Sequence, residues 1–121
     1  MKIVRFEDIE AWKEARILVR EIYRLCKNIK DFSFVGQITR ASISVMSNIA
    51  EGFDRHSNKE FVQFLVISRG SISEVKSLLY VALDVGYLNK SDFEDLYNRC
   101  DKIANLLNGF IRYLRNSERK Y

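Results

Sequence analysis

Two sets of side chains in this chain have the types and spacing to do chemistry. The first lies between Gln37 and Arg55. At about 100° per residue, Gln37, Arg40, Ser44, Ser47, Asn48, Glu51 and Arg55 share one side of a single helix, opposite Val35, Ile38, Ala41, Val45, Ile49 and Phe53. An ordinary solvated face is rich in Lys and Glu. This one combines amides, small hydroxyls and charges, the make-up of a partly buried, hydrogen-bonded seam. If the chain turns back near Asp54–Asn58, an antiparallel neighbour brings Ser44 beside Ser68 and Glu51 near Lys59–Gln63. The same register sets Arg40 beside Ser71–Glu74, so Arg40–Glu74 is the expected charged pair. Such a seam either fixes helix register and subunit packing or binds a ligand. The architectural role is the commoner one.

The second set is basic. Lys13, Arg16, Arg20, Arg24 and Lys27 recur every three or four residues, within roughly 80° of arc on one helix. Glu10, Glu14 and Glu21 occupy the adjoining strip. Two readings stand. One is a solvated face trimmed by i,i+4 ion pairs. The other is a track of about 20 Å that contacts the phosphates of a nucleic-acid groove. Arg112, Arg115, Arg119 and Lys120 extend that track if the last helix neighbours the first. Only Tyr23 and Tyr113 offer stacking, which favours recognition of shape and backbone over base reading.

Catalysis and metal binding find no comparable pattern. The single histidine, His56, falls in an expected exposed turn, and its neighbour Ser57 reads as a helix cap. There is no Glu-x-x-His motif, nucleophile elbow or glycine-rich phosphate loop. Cys26 and Cys100 lie on apolar helix faces and read as reduced core thiols. Neither an enzymatic activity, a metal nor another cofactor is expected.

The elements that must carry these groups are helical. The chain has 121 residues, no proline and five glycines, so it is a single domain, residues 1–121, poor in sharp turns and suited to long helices. A net charge of +4 is compatible with nucleic acid or an acidic partner. With no signal peptide and no apolar run long enough for a bilayer, a cytoplasmic location without a membrane is expected.

Four helices follow from the apolar periodicity. The first runs from about Asp8 to Lys27, with Trp12, Ala15, Val19, Ile22, Cys26 and Ile29 inward, and the second from about Ser33 to Arg55. The third starts at a capping box, Ser57–Glu60, and stops near Gly86; a second box, Ser91–Glu94, opens the fourth. The fourth buries Phe93, Leu96, Cys100, Ile103, Leu107, Phe110 and Leu114 before a frayed polar tail, NSERKY. Short connections make antiparallel neighbours, hence an all-α, up-down-up-down four-helix bundle. Gly52 and Gly70, inside helices at a cost of about 1 kcal/mol each, suggest close approach of a neighbouring helix. Val62, Val66, Tyr80 and Val81 form a second apolar strip on the third helix, beyond what one core requires. That excess predicts contact with another subunit.

Three segments, FEDIEAW (6–12), QITRASISVMSNIAEGFDR (37–55) and SNKEFVQFLVISRGSISEV (57–75), resemble a known family. They are similar to the bacterial four-helix-bundle proteins encoded in intervening sequences of 23S rRNA genes, and more distantly to the accessory variability determinants of diversity-generating retroelements. The resemblance implies ring-shaped homo-oligomers, with a pentamer as the best guess, and an association with RNA. The expected function is therefore a non-catalytic, homo-oligomeric helical module that binds structured RNA or other nucleic acid through the first helix. The alternative is a protein-interaction scaffold that touches no nucleic acid.

Overall fold

The apolar periodicity closes into four long helices. The computed structural model describes residues 3–118. A short 3-10 turn at Phe6–Asp8 precedes α1 (Glu10–Cys26), α2 (Phe32–Phe53), α3 (Asn58–Asp84) and α4 (Lys90–Glu118). Each helix packs on its neighbours in sequence, α1 also meets α4, and α1–α3 and α2–α4 lie across the diagonals. The result is the expected all-α, antiparallel up-down-up-down bundle. Leu18 and Ile22 of α1, Ile38, Val45 and Ile49 of α2, Leu65, Ile72 and Leu79 of α3, and Ile103 and Leu107 of α4 are sealed from solvent. Each such side chain contributes about 1.5–3 kcal/mol by leaving water.

The helix ends show which local signals won. Expected to begin at Asp8, α1 instead starts at Glu10, because the 3-10 turn takes the preceding residues and sets Phe6 edge-on to Trp12 at 5.2 Å. Ser57 caps α3, its Oγ accepting the Glu60 N–H at 3.2 Å. The C-terminus of α3 is a Schellman motif. Gly86 takes a φ of 86°, and the Tyr87 N–H donates to the Ala82 carbonyl at 2.8 Å. For α4 the cap is Asn89 rather than Ser91. Its Oδ1 accepts the Asp92 N–H at 2.7 Å, so Ser91 falls inside the first turn. Asn caps about as well as Ser, and the earlier start follows directly after the buried Leu88. The helix continues through Glu118, into the tail expected to fray.

At the start of α2, Asp31 joins two elements. Its Oδ1 accepts the Phe34 N–H at 3.2 Å and its Oδ2 accepts the Tyr87 hydroxyl at 2.8 Å. The backbone bond first, then the tyrosine, hold this carboxyl below its ordinary value of 3.8. A depressed folded pKa stabilises the fold above the ordinary value, and that stabilisation is lost as pH falls through the folded one. Asp31→Ala should therefore melt below the parent at pH 6, and the difference should narrow as pH drops beneath 3.8. Equal melting temperatures at pH 6 would remove Asp31 from the stabilising set.

The α2–α3 register is within a few residues of the expected one. Ser68, fully buried, donates from Oγ to the Val45 carbonyl at 2.7 Å, and Ser71 Oγ donates to Ser44 Oγ at 2.8 Å. Gly52 meets α3 closely, as a small residue there requires, whereas Gly70 has nothing within 4 Å of where a Cβ would stand. Its absence of bulk is not needed by any contact among the described residues.

Candidate nucleic-acid interface

Because α1 turns Ala11, Ala15, Leu18, Ile22 and Cys26 inward, its opposite side faces solvent. Lys13, Arg16, Arg20, Arg24 and Lys27 all stand on that outer side, and all five are exposed. Their carboxylate partners are few. Glu10 lies 3.5 Å from Lys13, while Glu21 serves both Arg24, at 2.7 Å, and Arg20, at 3.9 Å. Arg16 sits over the Trp12 ring at 5.9 Å, and neither it nor Lys27 makes an ion pair among the described residues. Exposed pairs of this kind contribute about 0–1 kcal/mol, little enough for an incoming phosphate to displace.

Glu14 departs from the expected arrangement. Instead of trimming the basic row it turns to α4, where Arg99 Nη1 and Lys102 Nζ donate to it at 2.9 and 3.3 Å. With its side chain only 13% exposed, it ties the two helices together and leaves the outer row with one carboxylate fewer. Toward the C-terminal end the field is mixed, since Arg24 borders a recess of about 600 Å³ that Asp92 and Asp95 also line.

Arg112 and Arg115 do not continue the row. Where α4 faces α1 it presents Arg99 and Lys102, and near the N-terminal turn Leu106, Phe110 and Tyr113. The helical period turns Arg112 and Arg115 to the other flank, where they share a groove with Arg69 of α3. The two arginines belong to a separate basic face. Arg119 and Lys120 lie outside the described residues.

Arg69 itself was not singled out from the sequence. An antiparallel turn about Leu88 sets Arg69 opposite Asn108 and Lys76 opposite Asp101, and both pairs are bonded, at 2.8 and 2.7 Å. Charge patterning along one helix misses such pairs; reading α3 against α4 would have found them.

Only part of the polar seam comes together. Ser44 Oγ accepts from both Ser71 and Asn48, the latter at 3.0 Å, and these three side chains are part-buried. Gln37, Arg40, Glu51, Arg55 and Glu74 are exposed. The expected Arg40–Glu74 pair does not form. The Arg40 guanidinium instead folds back over its own helix, where a Cβ at Gly36 would lie 3.1 Å from its Nη1. Arg55 caps the Phe64 ring at 4.5 Å. The seam is thus a short hydroxyl–amide network flanked by solvated charges.

The second apolar strip also loses a member. Val62 is 7% exposed and joins the core, because α3 rotates it toward the bundle interior. Val66, Tyr80 and Val81 stay exposed, together with Ile67 and Val85. Tyr80 also packs on Phe93 at 4.9 Å and Tyr97 at 5.6 Å, an aromatic cluster with Lys76 over the Tyr97 ring.

Groups with reactive potential are occupied elsewhere. His56 is exposed beside the Ser57 cap. Cys26 and Cys100 are free and buried, and burial pushes the Cys100 thiol up to about 12, so it stays protonated. Among the described residues, no group of three or more His, Cys, Asp or Glu is placed to hold a metal ion, and no helix is long and apolar enough to cross a membrane.

Fold and surfaces together define a four-helix-bundle module with distinct basic and apolar faces. The chain belongs to the family described as 23S rRNA-intervening sequence protein, whose model matches residues 7–109. Among solved structures it is similar to a protein of unknown function from the S23 ribosomal protein family of Bacteroides thetaiotaomicron VPI-5482. That likeness has a TM-score of 0.78 at 23% identity and covers 84% of this chain and 97% of the other. At that identity it speaks for the fold. No curated protein matches the chain.

Proposed function

We propose that this chain is a non-catalytic, homo-oligomeric cytoplasmic module that binds structured RNA or another nucleic acid through the outer face of α1. The observation that carries the reading is the row Lys13, Arg16, Arg20, Arg24 and Lys27, exposed along one side of a helix whose other side is committed to the core. The row is long enough for several phosphates. The family's association with 23S rRNA intervening sequences supports RNA as the partner. Retention of a folded RNA fragment at low salt, with release as salt rises, is the test. No retention at low salt would leave the rival, a protein-interaction scaffold, in its place.

Self-association is the second part of the proposal. Val66, Ile67 and Val81 of α3 and Val85 just after it are each 36–56% exposed, and Gly70 lies among them with open space before it. Both features suit an apolar contact between copies, with a pentameric ring as the favoured form. Light scattering should return several times, and for a ring of five copies five times, the 14.2 kDa chain mass. Val81→Glu should disperse the assembly while leaving the helix content intact. A clean monomer for the parent chain would overturn this part.

A further inference from the structure

On the flank of α4 turned away from α1, a groove of about 370 Å³ runs between α3 and α4. Three arginines line it, Arg69, Arg112 and Arg115, with two asparagines, Asn108 and Asn116, and the buried Ile111. No carboxylate lines it among the described residues. Among residues 3–117, none of the three arginines has a carboxylate partner. Further along, the cations of these two helices have carboxylate partners: Lys76 pairs with Asp101, and Arg99 and Lys102 share Glu14 of α1. Like charges gathered along one groove repel one another, and an anion in the groove relieves that repulsion.

The hydrogen-bond inventory narrows the ligand. Arg69 is half-buried, and its Nη1 donates to Asn108 Oδ1 at 2.8 Å, which turns the guanidinium toward α4. The same bond uses the carboxamide oxygen of Asn108 and leaves its NH₂ as a donor. The groove therefore offers mainly N–H donors and little to accept a proton. Planar guanidinium forks match phosphate oxygens in pairs, better than point-charge ammonium groups do. The volume is within the roughly 300–1,000 Å³ range of small-ligand sites, more than a bare ion fills.

We propose that Arg69, Arg112 and Arg115, with the Asn108 amide, form an oxyanion groove that takes the phosphate group of a phosphorylated ligand. It is separate from the basic row on α1 and does not depend on it. The phosphate comes either from the backbone of a nucleic-acid strand or from a free nucleotide.

The test is an amide NMR titration of the full chain with inorganic phosphate, at ionic strength held constant with sodium chloride. Saturable shifts are expected at Arg69, Asn108 and Ile111 to Asn116. Arg112→Gln with Arg115→Gln should weaken phosphate binding by roughly tenfold or more, since charge-assisted bonds are lost. Asn108→Asp is the second variant. It keeps the bond to Arg69 but puts a carboxylate in the groove, so the phosphate shifts should vanish from a folded protein. Replacing Arg16, Arg20 and Arg24 should remove any shifts along α1 and leave those at Arg69, Asn108 and Ile111 to Asn116 in place, which separates this proposal from the α1 reading. Tighter binding of adenosine monophosphate than of a short oligoribonucleotide assigns the free nucleotide; the opposite order assigns the strand. Shifts that do not saturate, spread evenly over the surface or persist in both variants would overturn the groove as a site.

Discussion

Gly52→Ala will destabilise the bundle by about 1–3 kcal/mol, the usual cost of forcing extra bulk into a packed interface, even though alanine is the better helix former. An alanine Cβ at this position would stand 2.7 Å from Phe61 Cδ1 and 2.8 Å from Phe64 Cβ. Neither atom is free to retreat. The Phe61 ring is buried between Phe53, at 6.2 Å, and Phe110, at 5.2 Å, and Phe64 Cβ moves only with the α3 backbone. The connection from Phe53 to Asn58 is too short for the helices to part at this end. Gly70→Ala is the matched control. With nothing near its Cβ, propensity alone predicts a gain of about 1 kcal/mol in the isolated chain. If α3 meets a second copy there, the same substitution will weaken assembly. Thermal or urea unfolding of both variants checks the pair, and a Gly52→Ala protein as stable as the parent would contradict the close approach.

These two glycines also show how far the chain could be read before its structure. A glycine inside a helical pattern marks a place where bulk is unwelcome, but periodicity cannot say whether the neighbour is a helix of the same chain or something outside it. The inward faces were legible because a core imposes a period on every helix. Ala15, Ile22, Cys26, Cys100, Ile103 and Leu107 are buried as that period requires. Residues at the edges of the apolar arc were not. A modest rotation moves Val62 from the outside to the core, and only packing against two neighbours sets that rotation. Arg112 and Arg115 failed to join the α1 row for a related reason, since α4 has a neighbour on each flank and the charge pattern does not say which flank is which. Long charged side chains are the least legible of all. Arg40 had an oppositely charged residue within reach by register, yet it lies along its own helix, where solvation costs nothing.

Replacing Arg16, Arg20 and Arg24 together by glutamine will leave the fold and the assembly intact and lower the affinity for structured RNA. Glutamine forms helix about as well as arginine, and no residue of another helix pairs with these three side chains among the described residues. Glu21 supplies a second, opposite test. Its carboxylate competes with phosphate for Arg20 and Arg24, at 3.9 and 2.7 Å. Glu21→Gln should therefore tighten binding where the triple variant loosens it. A scaffold that ignores nucleic acid predicts no change in either variant. Repetition of the row by the symmetry of an oligomer would add avidity to contacts that are weak one at a time.

The salt dependence of RNA binding by the parent and the triple variant tests the central claim most directly. For the parent, log K should fall linearly with log salt. For the variant, the slope should flatten by roughly 0.7–0.9 for each lost phosphate contact per chain. Binding that is absent at low salt in the parent, or a slope identical in both proteins, would contradict the phosphate-tracking role of α1.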